Sequence, residues 1–144
     1  MNLFRNMIAV ILGLVVGSGV NMLIIILGPE LIPPPSGFDN SSMASYAASA
    51  HLLEPRHFVT PFFAHAIGTL AGSLTAFIVA ASYKHIICYA VAGAFFLGGI
   101  VASVMIPAPW WFVVLDLIAA YIPMAALAVV IVGKSSQQAL VSVE

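Results

Sequence analysis

The sequence predicts an all-α membrane protein: a bundle of four transmembrane helices in a single domain, residues 1–144. Hydrophobic residues make up 62% of the chain and charged residues only 6%, a composition far from that of a water-soluble domain. The hydrophobic residues fall into four stretches, each long enough to cross ~30 Å of hydrocarbon at ~1.5 Å per residue. Since a domain of this size cannot bury so much apolar surface, we expect much of it to face lipid.

The four predicted spans are bounded by charged residues, prolines and polar turns. No charge lies between Arg5 and Glu30, and this uncharged stretch contains the first span. Thr60-Pro61 has the form of a helix N-cap followed by proline at the first helical position, which starts the second span. Pro107 ends the third, because proline lacks the amide hydrogen that a helix interior needs. The spans are therefore predicted at residues 7–28, 61–82, 85–106 and 109–133.

The few cations predict the orientation of the bundle. If the spans alternate in direction, Arg5, Lys84 and Lys134 all fall on one side, which the positive-inside rule identifies as cytoplasmic. Both termini are then expected in the cytoplasm (N-in/C-in). Residues 29–60 become a structured outer loop between helices 1 and 2, with a short helix predicted from Met43.

Small residues recur every fourth position in three of the predicted spans. Lipid chains are as apolar as leucine, so helix association in a bilayer depends on the close backbone approach that small residues allow. We expect these residues to pack helices together, either within the chain or between copies of it. They are Gly13, Gly17, Ala64, Gly68, Gly72, Ala94, Gly98 and Ala102.

Polar side chains in three spans are predicted to meet beneath the outer loop. Asp116, His65 and Asn21 each lie one or two helical turns from the outer end of a span, the first ~10 Å deep. Ionisable groups in a bilayer need a partner or a wet cavity, so we expect a binding cluster that includes Tyr121. It acts either as a structural hydrogen-bonded lock or as a site where His65 and Asp116 accept a proton or pair with a small solute. Pro123 is expected to kink the helix beside it.

A second group of residues suggests a metal site, on a weaker pattern. His51, Glu54 and His57 lie close together in the predicted outer loop, and His65 follows. Histidine and carboxylate side chains ligate zinc, copper and iron, but these spacings match no established ligand motif. A solvated loop with a local ion pair between Glu54 and Arg56 is the alternative. We predict no other cofactor.

Charge and cysteine content exclude several classes of function. The net charge is −1, with four Lys and Arg residues spread along the chain, so no nucleic-acid partner is expected. Cys88 is the only cysteine, which excludes an internal disulfide and a CxxC redox pair. The lipid bilayer is the one partner that the composition implies.

The chain resembles uncharacterised small four-span proteins of bacterial membranes. The resemblance rests on the runs Ala64–Leu70, Pro107–Leu117 and Ala120–Met124. It implies bacterial origin, an inner-membrane location and this architecture. It brings no activity, substrate or catalytic residue with it.

Three functions remain open from the sequence. The leading hypothesis is a non-enzymatic protein that binds or transports a small solute, or moves protons, and forms oligomers because four spans rarely enclose a pathway alone. The second is an accessory or structural subunit of a membrane complex, bound to its partner through small-residue seams. The third is a membrane metalloenzyme using the outer His and Glu residues.

Overall fold

The computed structural model describes residues 2–141, with side-chain surroundings as far as Gly133. Every regular element in that part of the chain is a helix. Two short 3-10 helices, Ala50–Leu52 and Pro55–Phe58, lie between the second and third α-helices. The α-helices are α1 (Asn2–Leu31), α2 (Met43–Ser49), α3 (Val59–Val79), α4 (Lys84–Met105), α5 (Trp110–Ala119) and α6 (Ile122–Val141).

Four helical stretches are long and apolar enough to cross a membrane, which confirms that part of the predicted fold class. They run up and down the bundle in chain order. We call the end with residues 32–58 the loop end, and the end with the tight turn Ala80–Tyr83 the turn end. The candidate spans are Asn2–Leu31, Pro55–Val79, Lys84–Met105 and Trp110–Gly133.

The helix boundaries differ from the sequence prediction at the start of α3. The 3-10 helix Pro55–Phe58 runs directly into α3, so Thr60 lies inside the helix and is not its N-cap. Pro61 is then the third residue of α3, where proline is tolerated because the amides of the first turn have no partner within the helix. The second span is therefore longer at the loop end than predicted.

The last span is broken into α5 and α6 at Ala120 and Tyr121. The backbone N–H of Ala120 still donates to the Asp116 carbonyl, over 2.9 Å. Pro123 lies in the first turn of α6, where its missing amide hydrogen costs no helical hydrogen bond. The expected irregularity at Pro123 is thus a complete helix break, and it places Tyr121 beside the bundle core.

Two glycine pairs hold α1 against α3. A Cβ at Gly13 would lie 2.7 Å from the Gly72 carbonyl oxygen, and one at Gly17 would lie 2.7 Å from that of Gly68. The reverse distances, from Gly72 to Gly13 and from Gly68 to Gly17, are 2.6 Å and 2.8 Å. No side chain fits between backbones this close. We call these four residues the glycine seam. Ala64, predicted on the same face of α3, is completely buried.

Two of the residues predicted as the packing face of α4 do not pack within the chain. Ala94 and Gly98 are exposed, and nothing lies within 4 Å of a Cβ built at Gly98. The buried residues of α4 are instead Cys88, Val91, Ala92 and Gly99, with Ala102 half-buried beside them. The small-residue pattern misled because lipid-facing and packed positions of a membrane helix are similarly apolar. Contacts of Ala94 and Gly98 with another chain stay a prediction.

Asn6 joins α1 to the turn end. Its side-chain carbonyl accepts hydrogen bonds from the backbone N–H groups of Ala81, over 2.9 Å, and of Ser82, over 3.3 Å. Its amide nitrogen donates to the Ser82 hydroxyl over 3.1 Å. Nearby, the Arg5 guanidinium donates to the Val79 carbonyl over 2.7 Å. Asn6 thereby satisfies backbone N–H groups of the turn between α3 and α4 that no helix pairs.

Candidate functional site

His65, Asp116 and Tyr121 form a hydrogen-bonded group near the loop end, which we call the His65 cluster. His65 Nδ1 lies 2.9 Å from each carboxylate oxygen of Asp116. The Tyr121 hydroxyl donates to Asp116 Oδ2 over 3.0 Å. The His65 and Tyr121 rings stack, with their centroids 5.8 Å apart. The carboxylate therefore accepts from two side chains, and an acceptor of this kind keeps the proton of His65 on Nδ1.

Burial differs within the His65 cluster. Asp116 and Tyr121 are 5% and 2% exposed, whereas a quarter of the His65 side chain is accessible. A buried carboxylate needs charged or hydrogen-bonding partners to offset its lost hydration. The histidine is thus the accessible member of a pair whose acid is enclosed.

Gly99 of α4 makes room for the Tyr121 ring. A Cβ at Gly99 would overlap the Tyr121 hydroxyl and would lie 2.7 Å from Cζ of that ring. The neighbouring Gly98 has open space around it. Phe96 closes another side of Tyr121, edge to face, with 6.0 Å between ring centroids. Gly99 and the helix break after Ala119 together bring the phenol to Asp116.

A cavity of about 300 Å³ lies on the loop side of the His65 cluster. We call it the loop-side cavity. Its wall is mostly apolar, with His65, Asp116 and Ser103 as polar members. Tyr46 of α2 also lines it, so the segment between α1 and α3 folds back onto the cavity. Sites for small molecules are commonly of this kind, apolar with a few convergent polar groups.

A second cavity of about 300 Å³ lies between α1, α3 and α4, which we call the mid-bundle cavity. His65 lines both cavities, while Asp116 borders only the first and Tyr121 only the second. Gly99 and Ala102 also line both, so the two spaces are adjacent and share His65, Gly99 and Ala102 as walls. Asn21 lines the mid-bundle cavity with His65, and among the described residues no hydrogen bond links Asn21 to Asp116. The predicted polar cluster thus consists of three bonded residues and one neighbour across a cavity.

The residues predicted for a metal site are not brought together. The Glu54 carboxylate pairs with Arg56 over 3.0 Å. His57 Nδ1 accepts from the Glu54 backbone N–H over 2.9 Å, as part of a capping box. Across residues 2–141, no three His, Cys, Asp or Glu side chains gather as metal ligands would. Glu54 and His57 Nδ1 form contacts within the loop, and His65 faces Asp116, so this geometry gives the metal hypothesis no support.

Sequence reasoning missed two residues of the site, Gly99 and Thr69. Gly99 was not selected because the small-residue pattern of α4 runs through Gly98, the adjacent position, and leaves Gly99 outside it. Thr69 lies one turn beyond His65 on the same face of α3, and this helical spacing was the available signal. The hydroxyl of a helical Ser or Thr usually bonds a carbonyl of its own helix. A threonine in a predicted span is therefore not a strong candidate for a site residue from the sequence alone.

The chain was compared with protein-family models, with curated proteins and with solved structures. It matches none of them. The resemblance to small bacterial membrane proteins therefore stays a prediction, and the functional argument depends on the geometry of the His65 cluster and its two cavities.

Proposed function

We propose that the protein is a proton-linked membrane transport or binding protein for a small solute, with the His65 cluster as its proton-accepting centre. The observation that carries this proposal is the His65–Asp116 pair, with 2.9 Å between Nδ1 and each carboxylate oxygen and with His65 lining two cavities. An ionisable pair in a membrane bundle costs free energy that apolar packing would not, and such pairs mark ion and substrate pathways.

The pair has the chemistry that proton movement needs. Histidine gains and loses a proton near neutral pH. With Nδ1 bound to Asp116, Nε2 is the ring nitrogen left to exchange protons. A solute in the loop-side cavity meets mostly apolar walls, with the His65–Asp116 pair and Ser103 as polar groups. Binding there is therefore coupled to the protonation of His65.

In this proposal the loop end faces outward, and both termini lie in the cytoplasm of a bacterial inner membrane. Arg5 and Lys84 at the turn end follow the positive-inside rule. The chain works as a homo-oligomer, because four spans give each protomer a site with little surrounding protein.

Proton flux into liposomes tests the proposed centre. The purified protein is reconstituted, a potassium diffusion potential is applied, and internal pH is followed with a trapped dye. We expect flux above that of empty liposomes, lowered at least tenfold by Asp116→Asn, which leaves no carboxylate to stabilise the imidazolium. Asp39→Asn is the matched control, since Asp39 lies outside the spans and its carboxylate accepts from Ser41. Unchanged flux in Asp116→Asn removes the proposal.

An accessory subunit is the second candidate function, favoured by the exposed small residues of α4. Ala94 is exposed, and a Cβ built at the adjacent Gly93 meets nothing within 4 Å, so a partner helix has room to approach. Purification in mild detergent tests it. This function predicts a stoichiometric foreign membrane protein that Gly93→Leu releases, and purification of the chain alone contradicts it.

A further inference from the structure

The mid-bundle cavity contains a buried hydroxyl group with no partner. Thr69 is 1% exposed, and its Oγ1 makes no hydrogen bond with any described residue. Thr75, on the same helix, behaves in the usual way and donates to the Ala71 carbonyl over 2.9 Å. Buried polar atoms in proteins are nearly always paired, with protein or with ordered water. The hydroxyl of Thr69 therefore indicates a bound molecule.

The other polar groups of this cavity surround the same space. Ser18 and Asn21 reach it from α1, while His65 and Tyr121 line it beside the His65 cluster. Because Nδ1 of His65 is bound to Asp116, Nε2 is the ring nitrogen left for a partner. The groups come from separate helices, so a molecule held among them receives hydrogen bonds from several directions.

The cavity has room for water, and polar groups interrupt its mostly apolar wall, which opens on the bundle surface beside the exposed Ser18, Met22 and Gly98. Its volume of about 300 Å³ is far above the ~30 Å³ that one water occupies in the liquid. Buried waters make about three hydrogen bonds to polar groups that would otherwise be unsatisfied. No Lys, Arg, Asp or Glu lines this cavity, so the polar groups around it suit an uncharged ligand.

We propose that the mid-bundle cavity is a water-binding site, in which water bonded to Thr69 and Asn21 gives His65 Nε2 a partner on the face away from Asp116. This deepens the proposed function, on which its role rests: the water receives the proton that leaves His65. The path then extends from the loop-side cavity, through His65, to the level of Thr69 on α3. Hydration of the cavity is measurable without any transport assay.

The threonine content of the chain makes the test direct. The sequence contains three threonines, Thr60, Thr69 and Thr75. Selective 13C labelling in lipid bilayers therefore gives three Cβ signals, and water-edited solid-state NMR measures how fast each receives magnetisation from water. We expect magnetisation from water to reach the Thr69 Cβ as fast as it reaches that of Thr60 at the loop end. The transfer to Thr69 should be at least three times faster than the transfer to Thr75. Build-up at Thr69 as slow as at Thr75 overturns the proposal.

A pair of variants tests whether polar groups hold the water. Asn21→Leu removes an amide from the cavity wall, and we expect it to lower the transfer to Thr69 at least twofold. Met22→Leu is the matched control, because Met22 lines the same cavity without a strong hydrogen-bonding group. Thr69→Ser identifies the Thr69 signal by its loss. Equal transfer in Asn21→Leu and Met22→Leu contradicts the water site as proposed.

The outcome is distinguishable from that of the flux experiment. A hydrated Thr69 with unchanged flux in Asp116→Asn retains the water site and removes the proton-linked function. A dry Thr69 with flux that depends on Asp116 removes the water site and retains the function.

Discussion

The two ends of the bundle are built differently. Toward the turn end, the small side chains of Cys88, Ala92, Ala125 and Ala128 form a fully buried cluster surrounded by larger apolar residues. Toward the loop end, two cavities flank an ionisable pair, and a threonine hydroxyl has no partner. Two halves of similar apolar composition therefore differ in packing: the turn-end half is closely packed, and the loop-end half contains cavities. The unpaired polar atoms of the loop-end half are the groups available to bind a ligand.

Polar groups in the turn-end half are matched to protein partners. Asn6 bonds Ala81 and Ser82, and the Ser73 hydroxyl donates to the Cys88 carbonyl over 3.5 Å. Buried polar groups that are satisfied in this way hold elements in register.

The largest expected effect comes from breaking the pair at the loop end. His65→Leu leaves the Asp116 carboxylate buried with only Tyr121, and we expect a loss of about 3 kcal/mol in the free energy of unfolding. The double variant His65→Leu/Asp116→Leu removes both charges, and we expect it to recover most of that loss. Reversible unfolding in mixed micelles measures both. If the double variant is the less stable of the two, the pair is not coupled as described.

The glycine seam runs beside both halves, and its effect should be intermediate. Gly72→Ala brings a Cβ to 2.6 Å from the Gly13 carbonyl oxygen, so α1 and α3 must separate. We expect a loss of about 2 kcal/mol in the free energy of unfolding, as for other overpacked sites.

Gly19→Ala is the matched control for the seam, because nothing lies within 4 Å of a Cβ at Gly19. We expect it to change the stability by no more than about 0.5 kcal/mol. Because alanine favours the helix more than glycine does, helix propensity cannot cause a loss in either variant. Equal losses would therefore mean that the close approach to Gly13 does not explain the effect of Gly72→Ala.

The smallest expected effect lies at the turn end. Asn6→Ala leaves backbone N–H groups of Ala81 and Ser82 without their acceptor, and we expect a loss of about 1 kcal/mol in stability. Proton flux in liposomes should stay unchanged, because Asn6 lies far from the His65 cluster. Such a result would show that the turn end contributes to stability and not to the flux. Asn2→Ala, at an exposed position of the same helix, is the control for stability. A lower flux in Asn6→Ala, at equal protein content, would show that the halves are not independent.

The sequence predicts the four helices well, since an uncharged stretch of membrane-spanning length has few alternatives to a helix. It also predicts that His65 and Asp116 lie at similar depth, because helical rise converts position into depth. The inward face of α4 could not be predicted in the same way. Lipid and protein interior have similar polarity, so Gly98 and Gly99 are distinguished only by what packs against them.

The sequence also does not distinguish a polar side chain that bonds its own helix from one that has no partner. Thr69 and Thr75 both lie on α3, and only the structure shows that one hydroxyl bonds its own helix. Asn6 has a role because the end of α3 returns to the level of the start of α1, a long-range contact that no local pattern contains. Pro123 did indicate an irregularity, but not that Tyr121 would turn toward Asp116.

The glycine seam joins two consecutive spans that leave the ribosome before α4. Because α1 and α3 are complementary on their own, we expect them to form a hairpin in the membrane before α4 is synthesised. Later helices would then assemble on an existing template, with α3 in the centre. Substitutions in the seam should consequently reduce the yield of inserted protein in the cell, before any effect on activity is visible.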